Sequence, residues 1–226
     1  LASSQVAGTA WHGYGGTPGV MISLASQFPT KGNYQTEHSG GTWVGNQVIS
    51  DFEEITHVMR SWGKAYVKWS LALDQNHGPN TGGCNSCNPL VTVHSTSGAV
   101  SYNIDFYTLG HFSKFVLPGA YRIYSANASG VVSAAFLNPD GSKALVAFND
   151  TTSSKTFQVH AFKGFGARCR VGGGKIVQGG AEKAIVQGSL QLLPVCSQVT
   201  RGRDHGSSPV DSRSRIRRCS CAGSRA

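Results

Sequence analysis

Eight residues, Tyr34-Gln35-Thr36-Glu37-His38-Ser39-Gly40-Gly41, carry the strongest fold signal in this 226-residue chain. The run from Asn33 to Thr36 predicts a strand, and Glu37 follows it in a turn of small residues that lets other groups approach closely. A carboxylate at the carboxyl end of a strand, ahead of a loop and a helix, is where barrel enzymes place reacting groups. A lone acid in a surface loop is the alternative, so the interpretation depends on the surrounding sequence.

Strands and helices alternate around Glu37. Proline residues begin and end the first helix, and apolar residues at intervals of three and four predict the second. The acidic residues of the second helix, Asp51, Glu53 and Glu54, are predicted to form a solvated face. The alternation itself predicts parallel strands joined by crossover helices. The predicted order is strand, helix, strand, helix, strand over residues 5–14, 18–28, 33–36, 46–62 and 64–73.

The pattern changes further along the chain. A small hairpin is predicted over residues 90–102 and a helix over 105–116, and antiparallel strands follow from residue 121. The predicted fold class is therefore α/β over residues 1–120 followed by all-β over residues 121–162. Residues 163–226 lose both periods and are predicted to be an irregular basic tail, either disordered or translated in a wrong reading frame.

Charge is unevenly distributed. Residues 1–160 hold eight Lys and Arg and eight Asp and Glu, whereas residues 161–226 hold twelve and three, so the whole net charge of +9 lies in the tail. A basic arm over residues 201–218 that binds nucleic acid or a membrane is the alternative to a disordered tail. No run of 18 apolar residues occurs, so no transmembrane segment is predicted. The chain lacks a starting Met and a signal-peptide pattern, and we expect it to be a fragment.

A CxxC motif, Cys84 and Cys87, lies in a loop rich in Gly, Asn and Pro. A single CxxC without a second pair or a suitable His is weak evidence for zinc, so a local disulfide is preferred and no metal site is predicted. Two N-glycosylation sequons, Asn127-Ala128-Ser129 and Asn149-Asp150-Thr151, agree with an oxidising compartment. The predicted location is extracellular or lysosome-like.

Six motifs, in order along residues 8–160, resemble glycoside hydrolase family 30, which includes glucosylceramidases and β-1,6-glucanases. Several long motifs in a fixed order are much more specific than any one of them. The resemblance implies strands six to eight of a (β/α)₈ TIM barrel followed by part of a β-sandwich. The motifs are Trp11-His12-Gly13-Tyr14-Gly15-Gly16, Tyr34-Gln35-Thr36-Glu37, Trp69-Ser70-Leu71-Ala72-Leu73-Asp74, Gly78-Pro79-Asn80, Gly110-His111-Phe112-Ser113-Lys114-Phe115 and Pro118-Gly119-Ala120-Tyr121-Arg122-Ile123.

The resemblance also implies a site. Glu37 matches the catalytic nucleophile of a retaining β-glycosidase, which needs two carboxyl groups about 5 Å apart. His12 and Tyr14 match supporting groups, and Trp69 matches an aromatic wall for the sugar ring. Ser70 occupies a substrate-binding position where many relatives have Asn. The expected partner is a β-glucoside, a glucan or a glycolipid, with no cofactor and no nucleic acid.

One functional group is missing from the pattern. The family's acid/base Glu usually follows an Asn, and the chain contains no Asn-Glu dipeptide. We therefore expect residues 1–226 alone to be inactive, because an incomplete barrel also leaves open sheet edges. Within the family, a glucosylceramidase-like activity is the first hypothesis and an endo-β-1,6-glucanase the second. A non-catalytic carbohydrate-binding remnant is a third hypothesis, from a different class.

Overall fold

The computed structural model describes residues 3–152, and beyond them only the backbone of four short strands. The chain divides into two compact units, one formed by residues 1–126 and 132–147 and the other by residues 127–131 and 148–226. The elements are β1 (Gly8–His12), α1 (Val20–Gln27), β2 (Gly32–Ser39), α2 (Gln47–Arg60), β3 (Gly63–Trp69), β4 (Ala72–Leu73), β5 (Val91–Val93), β6 (Val100–Tyr102), α3 (Ile104–Ser113), β7 (Tyr121–Ile123), β8 (Val131–Leu137), β9 (Lys143–Asn149), β10 (Lys155–Gln158), β11 (Arg168–Val171), β12 (Lys175–Gln178) and β13 (Ser189–Leu192).

A parallel sheet with the order β1-β2-β3 is the framework of the first unit. Helices α1 and α2 form the crossovers, so the strand and helix alternation predicted from the sequence is present. Met21 of α1 and three residues of α2, Phe52, Ile55 and Val58, are at most 6% exposed and form much of the core. Asn46 begins α2, because its side-chain oxygen accepts a hydrogen bond from the Ile49 backbone N–H at 3.2 Å.

Strand β2 is longer than predicted. The sequence predicts a turn after Thr36, but pairing continues through Ser39. Glu37 lies opposite His12 of β1, and Ser39 lies opposite Trp69 of β3. Glu37 therefore lies inside a strand that pairs with both β1 and β3, although Glu37 itself has a register partner only in β1. The prediction of a turn at Glu37 is wrong because partner strands extend the ladder beyond the segment that local propensity marks.

The acidic face predicted for α2 is also wrong in part. Asp51 is only 2% exposed, and its carboxylate binds the ammonium group of Lys68, which β3 directs toward the helix. Asp105 of α3 lies 3.0 Å from the same nitrogen. Because α2 packs against both β3 and α3, little of its surface remains for solvent. A charge pattern alone does not reveal that a second helix covers the acids.

The carboxyl of Asp105 makes the stability of this cluster depend on pH. Burial raises its pKa to about 6, although the nearby Lys68 lowers it. A carboxyl whose pKa is raised by folding stabilises the native state at low pH, and that contribution is lost as the pH rises through the folded pKa. We expect the free energy of unfolding to fall by about 1–3 kcal/mol between about pH 4 and pH 6.5.

Urea unfolding across this pH range checks the expectation. The variant Asp105→Asn should show a flatter pH dependence, whereas Glu53→Gln on α2 should match the wild type. Identical slopes for wild type and Asp105→Asn would contradict the assignment.

The third predicted strand is divided in two. Trp69 ends β3, and β4 begins at Ala72. The carbonyl groups of Ser70 and Leu71 accept hydrogen bonds from the backbone N–H groups of Leu90 and Val91, at 2.9 and 3.0 Å. The chain thus leaves the parallel sheet after Trp69 and pairs with the following hairpin.

The predicted hairpin is present, with β5 antiparallel to β6. The loop before it contains a disulfide between Cys84 and Cys87, whose Cα atoms are 5.6 Å apart. Local disulfide pairing is what the sequence analysis preferred over zinc. The ring of His77 donates a hydrogen bond from Nδ1 to the Cys87 carbonyl oxygen at 2.8 Å, which ties the start of this loop to its end.

Antiparallel strands follow α3, as predicted. Strands β7, β8 and β9 form one sheet in that order, with β7 antiparallel to β8. The turn between β8 and β9 closes through a 2.8 Å hydrogen bond from the Asn138 N–H to the Ser142 carbonyl, and Gly141 has a φ of 80°. Strands β11 to β13 lie in the segment predicted to be irregular. The remaining prediction for that segment lies outside the described residues.

Candidate active site

The candidate site lies at the carboxyl edge of the parallel sheet. Glu37 is near the end of β2, Tyr14 follows β1 by two residues, and Trp69 ends β3. The Glu37 side chain is 34% exposed, and Tyr14 and Trp69 are 55% and 48% exposed. The edge thus presents one carboxylate together with two accessible aromatic rings.

A β-bulge determines where Glu37 points. Gln35 and His38 both approach Oε1 of Glu54 on α2, with nitrogens at 3.3 and 3.9 Å, so both face that helix. Residues three apart in a regular strand face opposite sides of the sheet. The pairing of β2 with both neighbours is irregular between Gln35 and His38, which means that β2 contains one additional residue there. The additional residue places the Glu37 side chain on the side away from Glu54. Bulges often aim a side chain in this way.

Two groups from the β1 segment approach the Glu37 carboxylate. The Tyr14 hydroxyl donates a hydrogen bond to Oε1 at 2.8 Å, and Nδ1 of His12 lies 3.8 Å from the same oxygen. Burial raises the pKa of the Tyr14 phenol, and its hydrogen bond to Glu37 also raises it, while a contact with Ser39 lowers it. The phenol is therefore a proton donor at neutral pH, and a hydrogen bond of this kind favours the ionised form of the carboxylate.

The ring of His38 stacks on Tyr14, with centroids 6.3 Å apart. His38 also donates a hydrogen bond from Nδ1 to the Gly13 carbonyl oxygen at 3.1 Å. Burial lowers the pKa of His38, and the positive charge of Lys68 lowers it further, so the ring is neutral. Any side chain at position 13 would collide with His38 and Gln35. Glycine is needed there for this close approach.

Sequence analysis missed His38, Gln35 and Glu54. Gln35 offered a signal, because it is a polar residue in a strand that is predicted to be flanked by parallel strands, whereas the sequence predicts a turn at His38. Glu54 is also partly buried, and this desolvation raises the pKa of its carboxyl. Buried polar groups need partners, and these three residues supply partners to one another.

The structure brings His12 and Tyr14 together with Glu37, and it places Trp69 at the same edge, opposite Ser39. Ser70 lies in a different setting. Its hydroxyl oxygen is buried and has no hydrogen-bond partner among the described residues, while its carbonyl oxygen bonds to Leu90. Ser70 is thus held by the chain that follows it rather than by the residues around Glu37.

The loop after β2 carries a further exposed aromatic residue. Trp43 is 57% exposed and was not singled out in the sequence. Its loop is tied to the disulfide loop, because the Thr42 N–H donates to the Ser86 carbonyl at 3.1 Å and the Asn88 N–H donates to the Gly40 carbonyl at 2.9 Å. The Cys84–Cys87 loop therefore supports the segment that follows Glu37.

A cavity of about 80 Å³ opens beside His12 and Gly13 and extends to Gln35 and Glu54. Ligand sites commonly measure roughly 300–1,000 Å³, so this cavity alone does not enclose a sugar. Within residues 3–152, no group of three or more His, Cys, Asp and Glu side chains is arranged to hold a metal ion. None of the helices in that part of the chain has the length and apolar character that a membrane crossing requires.

Comparisons with known proteins show similarity to one glycoside hydrolase family. A family model described as the glycosyl hydrolase family 30 beta sandwich domain matches residues 119–185, which extends past residue 162, the predicted end of the sandwich. Endo-1,6-beta-D-glucanase neg1 of Aspergillus fumigatus is 32% identical over 163 residues, 66% of this chain and 32% of that protein. Putative glucosylceramidase 3 of Caenorhabditis elegans is 30% identical over 139 residues, 55% of this chain and 26% of that protein.

A solved structure is also similar to this chain. The endo-beta1,6-glucanase BT3312 superposes with a TM-score of 0.61 at 33% identity, over 66% of this chain and 35% of that one. Parallel strands with crossover helices and a carboxylate at their carboxyl edge agree with this similarity. About two thirds of the chain is therefore similar to proteins of glycoside hydrolase family 30, and residues 119–185 match the β-sandwich model of that family. It spans about a third of the length of the curated relatives it matches.

Proposed function

We propose that the chain supplies the nucleophile of a retaining β-glycosidase and that the acid/base carboxyl lies outside residues 1–226. The hydrogen bond from Tyr14 to Glu37 carries the proposal. A nucleophilic carboxylate must remain ionised while it waits for substrate, and a phenol donor favours that state. The partly exposed position of Glu37 at the carboxyl edge of the sheet leaves the carboxylate open to a sugar.

The proposed reaction has two steps. An oxygen of Glu37 attacks the anomeric carbon of a β-glucoside and forms an ester bond, while the external acid donates a proton to the departing oxygen. The same external group, now a base, takes a proton from water, which attacks the anomeric carbon and releases Glu37. The negative charge of the carboxylate is lost when the ester forms and returns when the ester is hydrolysed. The Tyr14 hydroxyl stabilises the ionised form of the carboxylate.

The aromatic residues fit a sugar subsite in this proposal. Trp69 and Tyr14 are accessible aromatic side chains, and the C–H face of a pyranose packs well on such rings. Tyr14 follows β1 and Trp69 ends β3, the two strands beside β2. The parallel sheet corresponds to strands six to eight of a barrel in this interpretation. The first five strands would then cover the exposed side of the sheet, where Val67 is 50% exposed.

We propose β-1,6-glucan as the first substrate to test, and glucosylceramide as the second. Three relatives named endo-1,6-beta-D-glucanase match 66% of the chain, and relatives named putative glucosylceramidase match between 52% and 66%. This order reverses the first expectation from the sequence. An oxidising compartment fits the Cys84–Cys87 disulfide, and a mouse relative is named lysosomal acid glucosylceramidase.

A chimera tests the proposal. The barrel segment that precedes the matched region of the Trichoderma harzianum endo-1,6-beta-D-glucanase would be joined ahead of residues 1–226. We expect the chimera to hydrolyse an aryl β-glucoside or β-1,6-glucan, and the chain alone to show no turnover.

Two variants of the chimera measure how much the Tyr14 hydrogen bond contributes to kcat/KM. Removal of one hydrogen bond to a charged group costs about 1.5–3 kcal/mol, so Tyr14→Phe should lower kcat/KM of the chimera by about 10- to 100-fold. Tyr121→Phe, at a position 76% exposed, is the matched control and should have no effect. Turnover by the purified chain alone, abolished by Glu37→Gln, would contradict the external acid/base. Sugar binding by a soluble chimera without turnover would favour the carbohydrate-binding remnant.

A further inference from the structure

The two sequons have the same chemistry but different surroundings. Each offers an asparagine amide and a hydroxyl two residues later, Asn127 with Ser129 and Asn149 with Thr151. An N-linked glycan is bulky and must lie at the surface. The folded structure therefore distinguishes two motifs that are equivalent in the sequence.

Asn149, in the last position of β9, is only 2% exposed. Its side-chain oxygen accepts two hydrogen bonds from Thr151, one from the backbone N–H at 2.9 Å and one from the hydroxyl at 2.7 Å. A sugar on the Asn149 amide nitrogen could not be buried with it, so the native fold and a glycan at this position exclude each other. Asn149 is a structural residue.

Asn127 lies in the loop between β7 and β8. Residues 126–129 are all exposed. A tight turn follows at once, because Ala128 and Val131 exchange both backbone hydrogen bonds, at 2.9 and 3.1 Å, and Gly130 has a φ of 72°. This turn follows the exposed residues 126–129, so a substituent on the exposed Asn127 does not have to enter the core.

We propose that Asn127 is an N-glycan acceptor and that Asn149 is not. In the reaction, the Asn127 amide nitrogen attacks the anomeric carbon of a polyprenyl-pyrophosphate-linked oligosaccharide. A C–N bond forms, the bond to the pyrophosphate oxygen breaks, and the nitrogen loses one proton. The donor lipid and the transferase belong to the secretory compartment, where the Cys84–Cys87 disulfide is also stable. The proposal does not depend on the glycosidase activity.

The test uses the full 226-residue chain, secreted from a yeast host behind a heterologous signal sequence. Trypsin separates the two sites, because cleavage after Arg122, Lys143 and Lys155 places Asn127 in residues 123–143 and Asn149 in residues 144–155. Release of N-glycans by an amidase in heavy-oxygen water converts a glycosylated Asn to labelled Asp. We expect the label in the first peptide and none in the second.

Two variants keep the outcome decisive. Asn127→Gln should abolish the glycan-dependent mass of the secreted chain, whereas Ser129→Thr, which retains the sequon with a stronger acceptor hydroxyl, should preserve or increase occupancy. An unlabelled Asn127 peptide in both the wild type and Ser129→Thr would overturn the proposal. A labelled Asn149 peptide from folded, secreted chain would overturn the structural distinction between the two sites.

Discussion

Replacing Glu37 with Ala is expected to lower turnover of an aryl β-glucoside by the chimera by about four to six orders of magnitude. Loss of a nucleophile in an enzyme that uses covalent catalysis has effects of this size, because the remaining groups bind the sugar but cannot form the ester. The Tyr14 hydroxyl, which donates to Oε1 of Glu37 at 2.8 Å, would then face an empty space large enough for a small anion. Glu53→Ala on α2 is the matched control and should retain activity.

Added azide should restore part of the lost rate and reveal which role Glu37 has. If Glu37 is the nucleophile, azide enters from its side of the sugar and displaces the β leaving group with a single inversion, so the product is the α-glycosyl azide. If Glu37 were the acid/base, the glycosyl-enzyme would form elsewhere and azide would yield the β-glycosyl azide. Nuclear magnetic resonance of the isolated product distinguishes the two anomers. A β product would contradict the assignment of Glu37, whereas a failure of Glu53→Ala would indicate a folding defect.

Replacing Lys68 with Met is expected to lower the free energy of unfolding by about 3–5 kcal/mol, the usual cost of removing one partner from a buried ion pair. Lys68 and Asp51 are 8% and 2% exposed, and Asp105 is 1% exposed. Without the ammonium group, two carboxylates would remain buried on adjacent helices with no positive partner from β3. Since domains are commonly stable by only about 5–15 kcal/mol, this variant should be close to unfolding.

A triple variant separates charge from packing. Asp51→Leu and Asp105→Leu in addition to Lys68→Met replace the whole cluster with apolar groups, a change that is often neutral or stabilising. We expect urea unfolding to show that the triple variant recovers most of the loss. Glu54→Gln, which retains the hydrogen bond with Gln35, is the control for a partly buried acid outside the cluster. A single variant as stable as the wild type would show that the Lys68 charge is not needed.

Some of the fold was predictable because it depends on local signals. Helix α2 matches its predicted span within two residues at each end, since Asn46 is a favourable N-cap and the apolar spacing is regular. The hairpin of β5 and β6 was also predicted from turn residues and strand propensity. The order of strands and helices around Glu37 required only these signals, and the family motifs identified Glu37 as the candidate nucleophile.

Other features depended on groups distant in the sequence. The residues next to Glu37 in the sequence do not predict the bulge, because the bulge results from the pairing of β2 with two neighbouring strands in different registers. His38 was overlooked for the same reason, since its partners Gly13 and Glu54 come from two other elements. Asp51 is buried because Lys68 and α3 pack against it, and the local charge pattern does not predict this packing.

The sequence by itself determined the alternation of strands and helices, and its motifs carried the family resemblance and the proposal of Glu37 as the nucleophile. These depend on residue types and spacings that act within a few turns of the chain. Only the tertiary structure decided that Glu37 lies inside a strand, that Tyr14 donates a hydrogen bond to it, and that the asparagine of one of the two sequons is buried. Those outcomes depend on which surfaces meet, and desolvation and hydrogen bonding between distant segments set them.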